Sequence, residues 1–215
     1  MRKKIVVTIA AILAVMTSQQ SGTAAISGTP HDFSGKNWGS SELCIFCHTP
    51  HFAQTSITQA PLWSHSNTVV AAYTMYSSPS LSATMPTGPS SQSKICLSCH
   101  DGTVAVDSFA SAGVMRNGSV FIGSTNKIGG VSGGQNSLAT DHPISFTYDS
   151  TLAGTSLGGL ATPSSTTWVD AGHTVPLFAG KVECGSCHEP HGNTAKFLRI
   201  SNGGSALCIK CHATK

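Results

Sequence analysis

The chain has little charge. Asp, Glu, Lys and Arg make up 10% of its 215 residues, and aromatics 7%. The formal excess of +3 comes from Arg2, Lys3 and Lys4; beyond them nine Lys and Arg face nine Asp and Glu. A chain so balanced carries no basic field for nucleic acid, which excludes that class of partner. Long apolar runs are scarce too. The run from Ile5 to Met16 is too short to span a bilayer, and no later run reaches spanning length. From Ser111 to Gly180 there is no cysteine and no sustained helical period. Rich in Gly, Ser and Thr, such a chain buries little apolar surface by itself. No cysteine stands alone: all eight fall in four copies of one motif.

The copies are Cys44-Ile45-Phe46-Cys47-His48, Cys96-Leu97-Ser98-Cys99-His100, Cys184-Gly185-Ser186-Cys187-His188 and Cys208-Ile209-Lys210-Cys211-His212. C-x-x-C-H is the attachment signal of c-type haem. Two thiols add to the two vinyl groups of one porphyrin, and the next residue, His, lies under the iron as proximal ligand. A C-x-x-C pair alone also suits zinc or dithiol chemistry. With 10 His in 215 residues, a His after any one pair has a chance of about 0.05, and four in four about 10⁻⁵, so haem is the economical reading. The expected cofactors are four c-type haems, held by Cys44, Cys47, Cys96, Cys99, Cys184, Cys187, Cys208 and Cys211, with His48, His100, His188 and His212 on the irons.

The N-terminus agrees. A basic start, an apolar run and Thr23-Ala24-Ala25 read as a signal peptide over 1–25. Export is where C-x-x-C-H receives haem. The expected location is extracellular or at the cell surface, alternatively periplasmic. No cysteine lies near the cleavage site, which speaks against a lipid anchor.

The expected fold is mostly irregular and haem-cored, with short helices around the motifs and a few short β pieces. Residues 26–215 form one tetrahaem cytochrome domain. Its haem pairs lie in 26–110 and 171–215, joined by a Gly/Ser/Thr-rich segment over 111–170. Ile26 to Ser41 reads as an extended arm. A short helix is expected near Val69 to Tyr76, and β pieces at Ser119 to Ile122 and Ile144 to Tyr148. Phe146, Tyr148 and Trp168 call for burial, so the connecting segment is expected to be ordered. The chain also repeats itself. Cys44 to His51 and Cys184 to His191 both read C-x-x-C-H-x-P-H, each followed by a plain C-x-x-C-H, a duplication at the level of haem pairs.

Six further histidines could supply sixth ligands: His31, His51, His65, His142, His173 and His191. His51 and His191 stand three residues after a proximal His. Positions three apart share a helical face, so these rings reach a neighbouring haem, not their own; Pro50 and Pro190 hold that direction. His142 precedes Pro143, which keeps it extended, with Asp141 beside it. His31 sits on the N-terminal arm. These four form the expected distal set, ahead of His65 and His173. The methionines read as packing residues.

This pattern resembles the doubled C-x-x-C-H multihaem cytochromes. It is carried by His31-Asp32-Phe33-Ser34, Cys44 to His51, Pro61-Leu62-Trp63, Cys96 to Gly102, Asp141-His142-Pro143, Cys184 to His191 and Ser205 to His212. With four motifs and this length it is most similar to the OmcE-type tetrahaem cytochromes that polymerise into extracellular filaments. The resemblance implies bis-histidine ligation at all sites with distal His31, His51, His142 and His191, haems stacked in alternating parallel and T-shaped pairs, and one axial His shared between subunits. The expected function is electron conduction without catalysis. Its partners are other copies of the chain, head to tail, and redox donors and acceptors. The favoured shared ligand is His31 on its arm, with His65 second. The rivals are a monomeric periplasmic shuttle and a multihaem reductase with one open iron.

Overall fold

A computed structural model describes residues 26–111, 114–129, 136–156 and 159–213. The export signal expected over 1–25 lies outside them. The described chain is mostly turns and irregular backbone, as expected. Its helices are α1 (Ser91–His100), α2 (Ser150–Thr155) and α3 (Cys184–Cys187). Strands β1 (Ala110–Ser111) and β2 (Val114–Met115) pair antiparallel. Short 3₁₀ turns follow at Ala195–Phe197, Gly203–Ser205 and Cys208–Lys210. Among the described residues no helix is long and apolar enough to cross a membrane.

Each cysteine motif curls, but to a different length. The second completes α1, which stops where Asp101 and Gly102 donate back to Leu97 and Cys99 and Gly102 takes φ +79. The third is α3, a single turn closed by reciprocal Glu183 and Ser186 bonds. The fourth is a 3₁₀ turn, and the first only a turn with His48 N–H on the Cys44 carbonyl at 2.8 Å. The helix expected near Val69 to Tyr76 is absent: the segment is extended, and Thr74 bridges Ser137. Residues 119–122 form no strand; Asp107 accepts from the backbone N–H groups of Ser119 and Val120 instead. Of Ile144 to Tyr148, only Thr147 makes a bridge, to Lys181.

Two small apolar clusters are present. One joins Phe146, Tyr148, Leu152, Val169, Val175, Leu177, Val182 and Leu207, and so draws the connecting segment onto the second half of the chain. The other holds Tyr73, Leu97 and Leu138. Met85 packs on the first and Met75 on the second. The N-terminal arm is not extended. It winds through turns in which Thr29 donates to Ile26 and Asp32 to Thr29. Phe33 and Trp38 then pack on the fully buried Phe46, whose ring meets Phe109 at 4.7 Å.

The duplication is visible in the backbone. His48 bridges Trp63, and His188 bridges Leu198. Thr49 N–H donates to the Leu62 carbonyl at 2.9 Å; Glu189 N–H donates to that of Phe197 at 2.7 Å. Ser64 N–H reaches the Cys47 carbonyl at 2.9 Å, and Arg199 N–H that of Cys187 at 2.9 Å. Leu62 and Phe197 share a left-handed φ of +56. Leu62 therefore corresponds to Phe197, and His51 to His191.

The two halves are stitched through Glu183. Its buried carboxylate accepts from the hydroxyls of Ser90, Ser93 and Ser145, the last at 2.8 Å. Ser93 also accepts from Cys184 N–H, and Gln92 from Gly185 N–H. Glu183→Leu should lower stability by about 3 kcal/mol, because three buried hydroxyls lose a charged acceptor. Glu183→Gln should cost about 1 kcal/mol. Urea titration of the haem-loaded protein reads both; equal midpoints for all three proteins would refute the stitching role.

Candidate haem-binding site

The first observation is how the imidazoles are held. A carbonyl can only accept, so a ring nitrogen facing one carries the proton. His48 Nδ1 donates to the Pro61 carbonyl at 2.5 Å, His100 Nδ1 to Asn126 at 3.0 Å, and His188 Nδ1 to Lys196 at 2.9 Å. His142 Nδ1 donates to Pro143 at 2.8 Å. His191 Nδ1 faces Glu189 Oε1 at 3.0 Å, and Glu189 is braced by Arg199 at 3.1 Å. In each ring this tether leaves Nε2 free for a metal, the arrangement that fixes tautomer and orientation in metal sites.

The second observation is pairing. His48 faces His191 with ring centres 6.0 Å apart, His31 faces His100 at 6.2 Å, and His142 faces His212 at 6.4 Å. Two imidazoles on opposite sides of one metal, each with a bond of roughly 2 Å, place their centres roughly 6.3 Å apart. Rings in direct contact look different: His31 lies on Phe197 at 4.4 Å and 13°. His48 and His191 are nearly parallel at 17° with centres 6.0 Å apart, farther than that pair. Among the described residues no group of three or more His, Cys, Asp or Glu could hold a metal ion. The imidazoles come in twos, as axial haem ligands do, not in tetrahedral fours as in structural zinc sites.

The third observation is the order of the thiols, all eight free. Burial, then the charge of Cys47, pushes the Cys99 thiol up to about 12, so motifs one and two adjoin. The neighbouring Cys184, then burial, pushes the Cys96 thiol well up, so motifs two and three adjoin. Burial, then Cys187, pushes Cys211 up to about 12, joining motifs three and four. The motifs thus follow one another in space as in sequence.

Residues 176–215 match the family described as the doubled CXXCH motif. That match supports a multihaem c-type cytochrome family and electron transfer as its business. No curated protein matches the chain. The residues fit the cofactor that the motifs indicate: paired thiols, a tethered His after the second Cys of the first three motifs, and imidazole pairs with ring centres 6.0–6.4 Å apart.

The remaining candidates fall elsewhere. His31 is packed inward: burial first, then His100 and His191, holds its pKa down at about 4, and its ring lies among those of His100, Phe33 and Phe197. The arm expected to reach outward is packed inward because its aromatics are buried there. His65, the second choice, is a core residue at 1% exposure. Burial lowers its pKa. His173 stacks on Trp168 at 5.0 Å. His51 is exposed and, among the described residues, its side chain has no partner. His188 is exposed as well, with no second imidazole opposite it among the described residues.

Sequence reasoning missed Phe197 against His31 and the Glu189–Arg199 brace behind His191. Loop length hid the first: Leu62 follows its proximal His by 14 residues and Phe197 by nine, so the correspondence appears only in the shared hydrogen bonds. The brace had a signal in Glu189, between two histidines of the motif.

Proposed function

We propose that the chain is an exported tetrahaem c-type cytochrome that conducts electrons and polymerises head to tail into an extracellular filament. The observation that carries the conducting role is the spacing of the three imidazole pairs, 6.0–6.4 Å, in a chain whose thiols adjoin in sequence order. In this reading the eight cysteines hold four haems. His48, His100, His188 and His212 are the proximal ligands, and His191, His31 and His142 stand opposite the first, second and fourth. Bound haem supplies the one-electron iron couple. The chain sets spacing, excludes water and fixes both axial imidazoles, so little moves when charge does. Filament formation is supported by the exposed Phe52 (71%) and Leu62 (55%) and by the even charge balance beyond Lys4.

One observation favours a second reading. His188 has no opposing imidazole among the described residues, and an iron there with an open sixth position would suit a reductase. A monomeric shuttle would need that position filled from within. The test is haem content and spin state. Pyridine haemochrome should give four haems per chain, electron paramagnetic resonance of the assembled protein should show only low-spin iron, and the reduced form should bind carbon monoxide slowly or not at all. Fewer haems would refute the tetrahaem assignment. Rapid CO uptake by native material would favour the reductase.

A further inference from the structure

Two acidic side chains are buried among the described residues, Asp101 at 0% exposure and Glu183 at 2%. A buried carboxylate is costly unless a positive charge faces it or its oxygens are well bonded. Both of these are bonded by neutral groups. Asp101 Oδ1 accepts from the Thr103 N–H at 2.8 Å and the Thr103 hydroxyl at 2.7 Å. Its Oδ2 accepts from the Tyr73 hydroxyl at 2.6 Å and from that of Thr68. Glu183 takes the hydroxyls of Ser90, Ser93 and Ser145. A carboxylate can only accept, and these groups all donate. No Lys or Arg is paired with either. Among the described residues the carboxylates in ion pairs are Glu189, with Arg199 and His191, and Asp170, with Lys210. Lys127 crosses Gly102 but joins no ion pair among the described residues.

Both carboxylates lie at the middle of the motif order. Asp101 directly follows His100, and Glu183 directly precedes Cys184. Glu183 also reaches the second motif. The Ser93 hydroxyl that donates to it accepts the Cys184 N–H at 3.1 Å, and Ser93 shares a face of α1 with Cys96, three residues on. The thiols register both charges. Burial first, then Cys47 and Asp101, pushes Cys99 up. Cys184 first, then burial, with Glu183 adding to them, pushes Cys96 up. The other motifs differ. Glu42, ahead of motif one, is exposed. Asp170, beside motif four, is neutralised by Lys210 at 3.2 Å. Motif three shares Glu183 but also holds Arg199, whose Nε donates to the Gly185 carbonyl at 2.6 Å.

We propose that Asp101 and Glu183 are fixed counter-charges for the irons at motifs two and three, and that together they hold the second haem at the lowest potential of the four. The proposal rests on the tetrahaem reading and adds the order of its potentials. Oxidation adds one positive charge to an iron, and a buried negative charge nearby stabilises that state. Out of water the attraction is little screened, unlike that of an exposed carboxylate. Hydroxyl donors hold the charge in place without cancelling it. The third haem, between Glu183 and Arg199, comes next, and the first and fourth lie higher. An electron crossing the chain therefore climbs to the second haem and descends from it.

The test is a redox titration of the haem-loaded protein, followed by optical absorption and electron paramagnetic resonance. Glu183→Gln keeps the size of the side chain. It should move two of the four one-electron steps to higher potential, the lowest among them, each by about tenfold in its reduction equilibrium, or about 59 mV. Asp101→Asn should raise the lowest step alone, by a similar factor. Asp149→Asn removes an exposed carboxylate that caps α2 and should leave all four steps in place. A loss of packing alone would lower stability without selectively raising the lowest step. If Asp101→Asn fails to mature, Glu183→Gln decides. Four haems whose lowest step stays put or falls in these variants would overturn the counter-charge role and leave the tetrahaem reading standing. Fewer than four haems in the wild type would overturn both.

Discussion

Replacing His191 with alanine should turn one quarter of the iron high-spin and let the reduced protein bind one equivalent of carbon monoxide quickly. His191 is the ring opposite His48 at 6.0 Å, and the nearby His31 already faces His100. Its Nδ1 is held by Glu189, and Glu189 by Arg199, so Nε2 is aimed before any iron arrives. Alanine leaves an open sixth position because the neighbouring Phe197 carries no donor atom. Glu189→Gln keeps the ring but weakens its brace. It should leave the iron low-spin and raise the potential of that haem, since a less basic imidazole stabilises the oxidised iron less well. His173→Ala, which only uncovers Trp168, should change nothing. The measurements are electron paramagnetic resonance and CO titration. A wholly low-spin His191→Ala protein that takes up no CO would sink the assignment of His191 to the iron of the first motif.

Without haem the chain should not fold. Cys→Ala at all eight thiols, or expression without haem attachment, should give a far-ultraviolet circular dichroism spectrum of an unfolded chain and collapsed amide dispersion. The physical reason is the poverty of the polypeptide's own core. Among the described residues the longest helix has 10 residues, the paired strands have two each, and the apolar clusters hold eight and three buried residues. Helices this short are marginal in water, and an isolated hairpin of that size has no independent stability. The histidines and cysteines are brought together by long loops, each of which costs ordering entropy that the clusters alone do not offset. Single substitutions should grade the effect. Cys184→Ala, at the contact between the second and third motifs, should depress folded yield more than Cys44→Ala, whose thiol is exposed. A haem-free chain with a dispersed spectrum would show that the polypeptide carries its own core.

Much of the site could be read from the sequence because its chemistry is covalent and local. Two thiols and an imidazole within five residues specify the cofactor, its attachment and its proximal ligand, whatever the rest of the chain does. The irregular fold followed from the same facts, since a chain that wraps porphyrins needs few helices. The three-residue step from His48 to His51 and from His188 to His191 announced that these rings point away from their own haems. Local pattern failed where distant groups compete for a segment. The arm carrying His31 looked free, but Phe33 and Trp38 had a buried surface waiting at Phe46 and Phe109. Residues 69–76 alternate weakly enough to suggest a helix, yet the partner at Ser137 draws Thr74 into an extended pairing. The sequence ranked His51 above His65 as a spare imidazole, but it did not show that His65 is buried in the core while His51 lies on the surface.

By itself, then, the sequence determined the cofactor type, the attachment points and the duplicated plan, because each depends on residues a few positions apart. Which imidazole faces which was decided only by the tertiary structure, because an axial pair is made across space by segments as much as 143 residues apart, as His48 and His191 are. His51 and His191 show the division most clearly. Their motifs read alike, C-x-x-C-H-x-P-H, and their local turns carry the same hydrogen bonds. His191 faces a second imidazole and, among the described residues, His51 does not, since a folded chain brings its second half against its first on one side only, and no local pattern encodes which side that is.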